Sequence, residues 1–188
     1  MRILIVLCLL ILSGCQLGGT LINAGHRLYA MVADDRTATD DWTDVRINAA
    51  VRDAMGQRSA ALIVDVEVTV FEGHVLLTGI VPKGEVLNDI LTATWSVPGV
   101  RKVYNYVRVG EAPDALTTTG EAALATKIKA QLGLSPGIDA PNYKLVLENG
   151  VVYLMGICAG EEEYGKVLAV LKNTDGIDKI VNLTRQKM

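Results

Sequence analysis

An α+β fold of two tandem αββαβ units, each a three-stranded mixed sheet with two helices on one face, is predicted by three observations. The chain repeats itself at an offset of 77 residues, its apolar residues switch between the periods of helix and strand, and glycine-containing turns fall where the periods change. Glu72-Gly73-His74-Val75-Leu76-Leu77-Thr78-Gly79 lies over Asn149-Gly150-Val151-Val152-Tyr153-Leu154-Met155-Gly156. Further on, Gly99-Val100-Arg101-Lys102-Val103-Tyr104-Asn105 lies over Gly176-Ile177-Asp178-Lys179-Ile180-Val181-Asn182 without a gap. Upstream the best match moves by four, with Val45–Val51 over Thr126–Leu132 at an offset of 81. That shift predicts a longer loop in the second copy, around Ser135-Pro136-Gly137-Ile138-Asp139, because insertions belong in loops.

In the first copy Ile47, Val51 and Met55, with Val45, Ala49 and Arg52, mark a helix, and Asp41 with Asp44 offers a capping-box-like start. Val64, Val66, Val68 and Val70 alternate with polar residues, the period of a strand buried on one face. Glu72-Gly73 turns the chain and His74 to Val81 returns as the second strand of a hairpin. Val86, Leu87, Ile90, Leu91 and Trp95 stripe the second helix, Pro98-Gly99 stops it, and Val100 to Val109 forms the third strand. The second copy repeats the series. Thr118 and Glu121 form the capping box, Leu124, Ile128 and Leu132 the helical stripe, Tyr143, Leu145 and Leu147 the alternating strand, and Tyr164, Val167, Leu168 and Leu171 the last helix. A unit of about 70 residues has a modest core, so packing one copy against the other is expected.

Ahead of the repeats stands an apolar run from Ile3 to Leu12, followed by Ser13-Gly14-Cys15. The run is too short for a bilayer span, which needs about 20 apolar residues, and fits a secretory signal behind Arg2. Small residues before a cysteine suit a signal peptidase, so cleavage between Gly14 and Cys15 and lipidation of Cys15 are expected. The organisation is then signal peptide 1–14, lipidated tether 15–41, first unit 42–110 and second unit 118–188. Gln16 and Leu17 lack the aspartate that resembles an inner-membrane retention signal, which directs the anchor to the outer membrane, facing the periplasm.

Composition narrows the function. A net charge of −3 disfavours nonspecific nucleic-acid binding, which needs a field of Lys and Arg. Of three cysteines, Cys8 leaves with the signal, Cys15 is consumed by lipid, and Cys158 sits in an apolar strand as a small hydrophobe. The two histidines, His26 and His74, accompany no nucleophile elbow, phosphate loop or zinc motif, so no enzyme and no cofactor are expected. Asp34, Asp35, Asp40, Asp41 and Asp44 lack the glycine and distal glutamate of a calcium loop and read as a solvated tether.

A lipobox followed by two αββαβ copies with Glu-Gly and Asn-Gly hairpins resembles the dual BON-domain outer-membrane lipoproteins. Val68 to Gly79, Pro98 to Asn105, and Ala33-Asp34-Asp35-Arg36-Thr37 carry the likeness. The resemblance implies a noncatalytic, palmitate-bearing protein that supports outer-membrane integrity and binds anionic phospholipid, such as phosphatidylglycerol, through its second domain. The expected lipid-binding residues are Leu124, Lys127, Ile128, Gln131, Leu134 and Gly156, with Lys129 beside them. The related lipoproteins carry a bulky aromatic before the Thr-Lys of this helix, whereas Glu121-Ala122-Ala123-Leu124-Ala125 has none, so insertion is expected to be shallow. The alternative reading is an adaptor whose first domain recruits an envelope protein partner, with Trp95, Tyr104 and Tyr106 as anchors.

Overall fold

A computed structural model describes the backbone of residues 38–58, 66–111 and 115–187, and side chains from 43 and 119 onward in the two leading helices. The signal, Gly14, Cys15 and the tether to residue 37 lie outside the described residues. Residues from Asp35 onward form one compact unit. Its elements are α1 (Ala38–Arg58), β1 (Val66–Phe71), β2 (His74–Val81), α2 (Gly84–Trp95), β3 (Lys102–Val109), α3 (Ala115–Leu134), a 3-10 turn (Ala140–Asn142), β4 (Tyr143–Glu148), β5 (Val151–Cys158), α4 (Glu161–Lys172) and β6 (Lys179–Gln186).

Each domain is a three-stranded mixed sheet, ordered β1-β2-β3 and β4-β5-β6. The hairpin strands are antiparallel, while β2 with β3 and β5 with β6 are parallel. Glu72 and Gly73 have φ of 51° and 72°, and Asn149 and Gly150 have 50° and 70°, the left-handed pair that closes a two-residue hairpin with the right twist.

Alternation along the strands sends two apolar faces in opposite directions. In the first domain Val66, Val68, Val70, Val75, Leu77, Val81 and Val107 meet Ile47, Val51 and Met55 of α1 and Ile90 and Ala93 of α2. In the second, Tyr143, Leu145, Val152, Leu154 and Cys158 meet Ile128, Leu132, Val167 and Leu171. The opposite faces form a third core, where Phe71, Leu76, Tyr104 and Tyr106 pack against Val146, Tyr153, Met155 and Ile157. The rings of Tyr106 and Tyr153 lie 4.7 Å apart. The result is a helix–sheet–sheet–helix stack in which the expected packing of one copy on the other buries both sheets.

Three expectations are corrected. The core-facing helix positions are Ile47, Val51 and Met55 in α1 and Leu124, Ile128 and Leu132 in α3, an offset of 77 throughout. Strands β1 and β4 also begin 77 apart, at Val66 and Tyr143, so no four-residue insertion separates the copies. A slip of one helical turn preserves an amphipathic stripe, which is why sequence matching settled one turn away. Second, Asp41 and Thr118 lie inside α1 and α3, not at their caps. Third, Val45 and Trp95 do not join the core, at 52% and 55% exposure.

Candidate functional site

The face expected to meet lipid is the outer side of α3. Lys127 and Lys129 are exposed there, and Leu134, at the helix end, is 84% exposed. The other expected residues point elsewhere. Ile128 is completely buried in the second core, so it supports the helix from within and offers no surface to a membrane. Gly156 is buried in β5, where a side chain would stand 2.2 Å from the Asn142 carbonyl; it serves a close backbone approach. Leu124 is half-buried and packs over Gly176, and Gln131 accepts a hydrogen bond from the Thr174 hydroxyl at 3.2 Å. The surface part of the expected set is thus Lys127 and Leu134, joined by Lys129.

What fixes α3 is a carboxylate in its second turn. Glu121 accepts a hydrogen bond from the Gly150 amide at 3.1 Å, tying the helix to the hairpin turn. Asp44 in α1 does the same more strongly, accepting from the amides of Glu72 and Gly73 at 2.7 and 2.8 Å. Both acids had been expected to cap helices; they cap the turns instead. At the far end of α3, Glu163 holds the following loop, its two oxygens accepting from the Asp139 amide at 2.7 Å and the Ala159 amide at 2.6 Å. Sequence reasoning missed Glu163. The signal was available at the repeat offset, where the acid replaces Val86.

The domains meet head to tail. Arg185, near the end of β6, donates to both oxygens of Glu72 in the first hairpin at 2.7 and 2.5 Å. The repeat-equivalent pair is Arg108 and Asn149, where the acid is missing, and Arg108 acts on the neighbouring Glu148. Burial raises the Glu148 carboxyl above its ordinary range, and Thr78, Arg108 and the Gly79 backbone oppose the rise. The hairpin end of each domain therefore abuts the opposite end of the other.

One end of the stack consequently gathers the first hairpin, the end of α2 and the end of α3. The Arg101 amide donates to the Gly73 carbonyl at 2.8 Å, which brings Arg101 and Lys102 beside His74. Lys102 lies over the Tyr104 ring at 4.6 Å, and His74 meets that ring edge-on at 6.1 Å. Burial lowers the His74 pKa; Glu72 counters this, and Lys102, Arg101 and Arg185 lower it further. Tyr104 and Tyr106, expected as candidate partner anchors, belong to the core between the sheets, which leaves Trp95 as the exposed one. Among the described residues no cluster of His, Cys, Asp or Glu is arranged to hold a metal, and no helix is long and apolar enough to cross a membrane.

These features define a tandem α+β protein, two copies of one small module fused in a single chain and joined through their sheets. The chain belongs to the BON-domain family: the sequence model of that domain matches residues 43–111 and 120–188. An uncharacterized protein in the gshII 5′ region of Anaplasma centrale is 31% identical over 65% of this chain and 82% of its own length. The outer membrane lipoprotein DolP of Haemophilus influenzae is 24% identical, over 92% of this chain and 88% of its own. The 21 kDa hemolysin of Actinobacillus pleuropneumoniae is 25% identical, over 86% and 76%. Among solved structures, the C-terminal domain of CdsD, a structural protein of the type III secretion system of Chlamydia trachomatis, aligns with 73% of this chain and 63% of its own at 15% identity. Its TM-score is 0.30, too slight a likeness to carry an argument.

Proposed function

We propose that this protein is a noncatalytic, lipid-anchored protein of the outer membrane, facing the periplasm, that binds anionic phospholipid through its second BON domain and supports envelope integrity. The anchor is the acylated Cys15 exposed by cleavage after Gly14. The observation that carries the lipid reading is the exposed side of α3, where Lys127 and Lys129 stand outward and Leu134 projects at the helix end. A Lys near an anionic bilayer contributes about 1 kcal/mol, so two of them with one apolar contact give weak binding that is detectable without an anchor and strengthened when an anchor holds the protein close. The likeness to an outer membrane lipoprotein along most of both chains supports the location.

The experiment is a titration of the chain from Gln16 to Met188 with phosphatidylglycerol micelles, followed by NMR shift mapping, with zwitterionic micelles as control. Shifts on the outer face of α3 and at Leu134, seen only with the anionic lipid, are expected. Lys127→Glu with Lys129→Glu should reduce the anionic binding about tenfold. Unchanged binding in that variant would remove α3 as the site.

A further inference from the structure

Lys127, Lys129 and Leu134 put lipid contact on the second domain alone. The stack, however, collects a second set of membrane-compatible groups on the first. Because the first hairpin and the end of the second domain share one end, Trp95, Arg101 and Lys102 of the first domain stand at the same end as Leu134 of the second. A chain of contacts sets this placement: Arg101 is tied to Gly73, Gly73 follows Glu72, and Glu72 holds Arg185 beside the last residues of β5. Trp95 ends α2 just before Gly99, whose carbonyl closes on Gly73. Leu134 ends α3 before the loop that leads to Tyr143, which pairs with Gly156.

Arg101 and Lys102 are exposed. Of the carboxylates nearby, Glu72 is paired with Arg185 and Glu162 with Lys166 at 2.8 Å, while Asp44 and Glu163 hold backbone amides. Glu161 accepts from the neutral Gln186 amide. At the opposite end the residues equivalent to Arg101, Lys102 and Glu72 are Asp178, Lys179 and Asn149, beside Glu121, Glu148 and Arg108, so the adjacent cation pair belongs to the first-hairpin end. A tryptophan exposed over half its surface, next to paired cations, suits the boundary where ring and charge meet lipid headgroups.

We infer that Trp95, Arg101 and Lys102 form a second contact with an anionic membrane surface, so that the body stands on the bilayer by its first-hairpin end. The contact rests on the membrane-anchored reading but not on α3. Two domains then share the lipid surface, and the second hairpin faces away from it. Binding through this patch weakens with added salt, because exposed charges are screened within about 10 Å at 0.1 M ionic strength.

The test uses the chain from Gln16 to Met188, which retains the whole folded body, and co-sedimentation with vesicles of phosphatidylglycerol and phosphatidylcholine in equal parts. Arg101→Glu with Lys102→Glu should lower association about tenfold, comparable with the loss from Lys127→Glu with Lys129→Glu. In a Trp42→Phe background the remaining Trp95 fluorescence should shift to the blue on these vesicles and stay unmoved on pure phosphatidylcholine. Parent-like sedimentation of the Arg101 and Lys102 variant, with Trp95 emission unmoved, overturns the inference and leaves α3 standing if the lysine variant loses binding. Loss in the Arg101 and Lys102 variant alone supports the inference and removes α3. A parent chain that ignores anionic vesicles overturns both.

Discussion

The two domains share a backbone plan yet secure it differently. In the first, a buried Asp44 closes the hairpin with two amide bonds, and Glu72 in the turn reaches across to Arg185. In the second, Glu121 makes one longer bond and Asn149 leaves Arg108 without the matching acid. The polar investment has moved to the other end of the second domain. There Tyr143 and Glu163 replace Val66 and Val86, and Glu163 holds the loop after α3. Duplication preserved the apolar core at a fixed spacing, while the polar fastenings diverged to suit which end of each copy needed holding.

Gly156 matches Gly79 of the first copy, a glycine that also has positive φ, and it is the most vulnerable point of the second. Its φ of 148° lies at the edge of the region side chains avoid, and an added Cβ would meet the Asn142 carbonyl at 2.2 Å and the Tyr143 Cα at 3.0 Å. Both obstacles are backbone and cannot rotate away. Gly156→Ala is expected to cost at least about 3 kcal/mol, read as a lowered urea midpoint. A loss below about 1 kcal/mol would mean that the loop after α3 yields easily, contrary to its fastening by Glu163.

A matched pair of substitutions measures the hairpin fastenings against each other. Asp44→Ala strips two turn amides of a buried acceptor and should cost about 2–3 kcal/mol, whereas Glu121→Ala removes one bond from a half-buried site and should cost about 1 kcal/mol or less. Equal losses in urea denaturation would show that the second turn is held by something other than Glu121.

Much of the architecture was legible because apolar periodicity survives duplication. The hairpins were readable from Glu-Gly and Asn-Gly, and each sheet from alternating valines and leucines such as Val66, Val68 and Val70. The helix register was not, since Ile47 matches Leu124 and Ile128 almost equally well when only apolar character is compared. Asp44 and Glu121 looked like caps because their spacing from Asp41 and Thr118 fits one; their hairpin partners, nearly 30 residues away, are visible only in the fold. For the candidate site, Lys127 and Leu134 lie on the surface, whereas the stripe that Ile128 shares with Leu124 and Leu132 already pointed to the core, and Ile128 is buried there. Burial of Tyr104 and Tyr106 depended on the second sheet covering the first, a contact between faces that leaves no periodic mark of its own.

The smallest expected effect isolates the polar graft on the second core. Tyr143 occupies the place of Val66, and its hydroxyl is buried without a hydrogen-bond partner in good geometry, although Glu163 lies close enough to oppose its ionisation. Burial is the larger cause of a pKa raised well above the ordinary 10.0. A phenol whose folded pKa is raised contributes its full stability below the unfolded value and loses it as pH climbs above that value, at about 1.4 kcal/mol per pH unit. Tyr153 and Tyr164 are raised in the same direction, so the alkaline loss belongs to all three. Tyr143→Phe should therefore be within about 0.5 kcal/mol of the parent at neutral pH, because no hydrogen bond is lost, and should be measurably more stable than the parent near pH ~11. Urea curves at the two pH values check this. A clear loss at neutral pH would instead make the hydroxyl a working partner of Glu163 and place Tyr143 among the fastenings that the second domain gained after duplication.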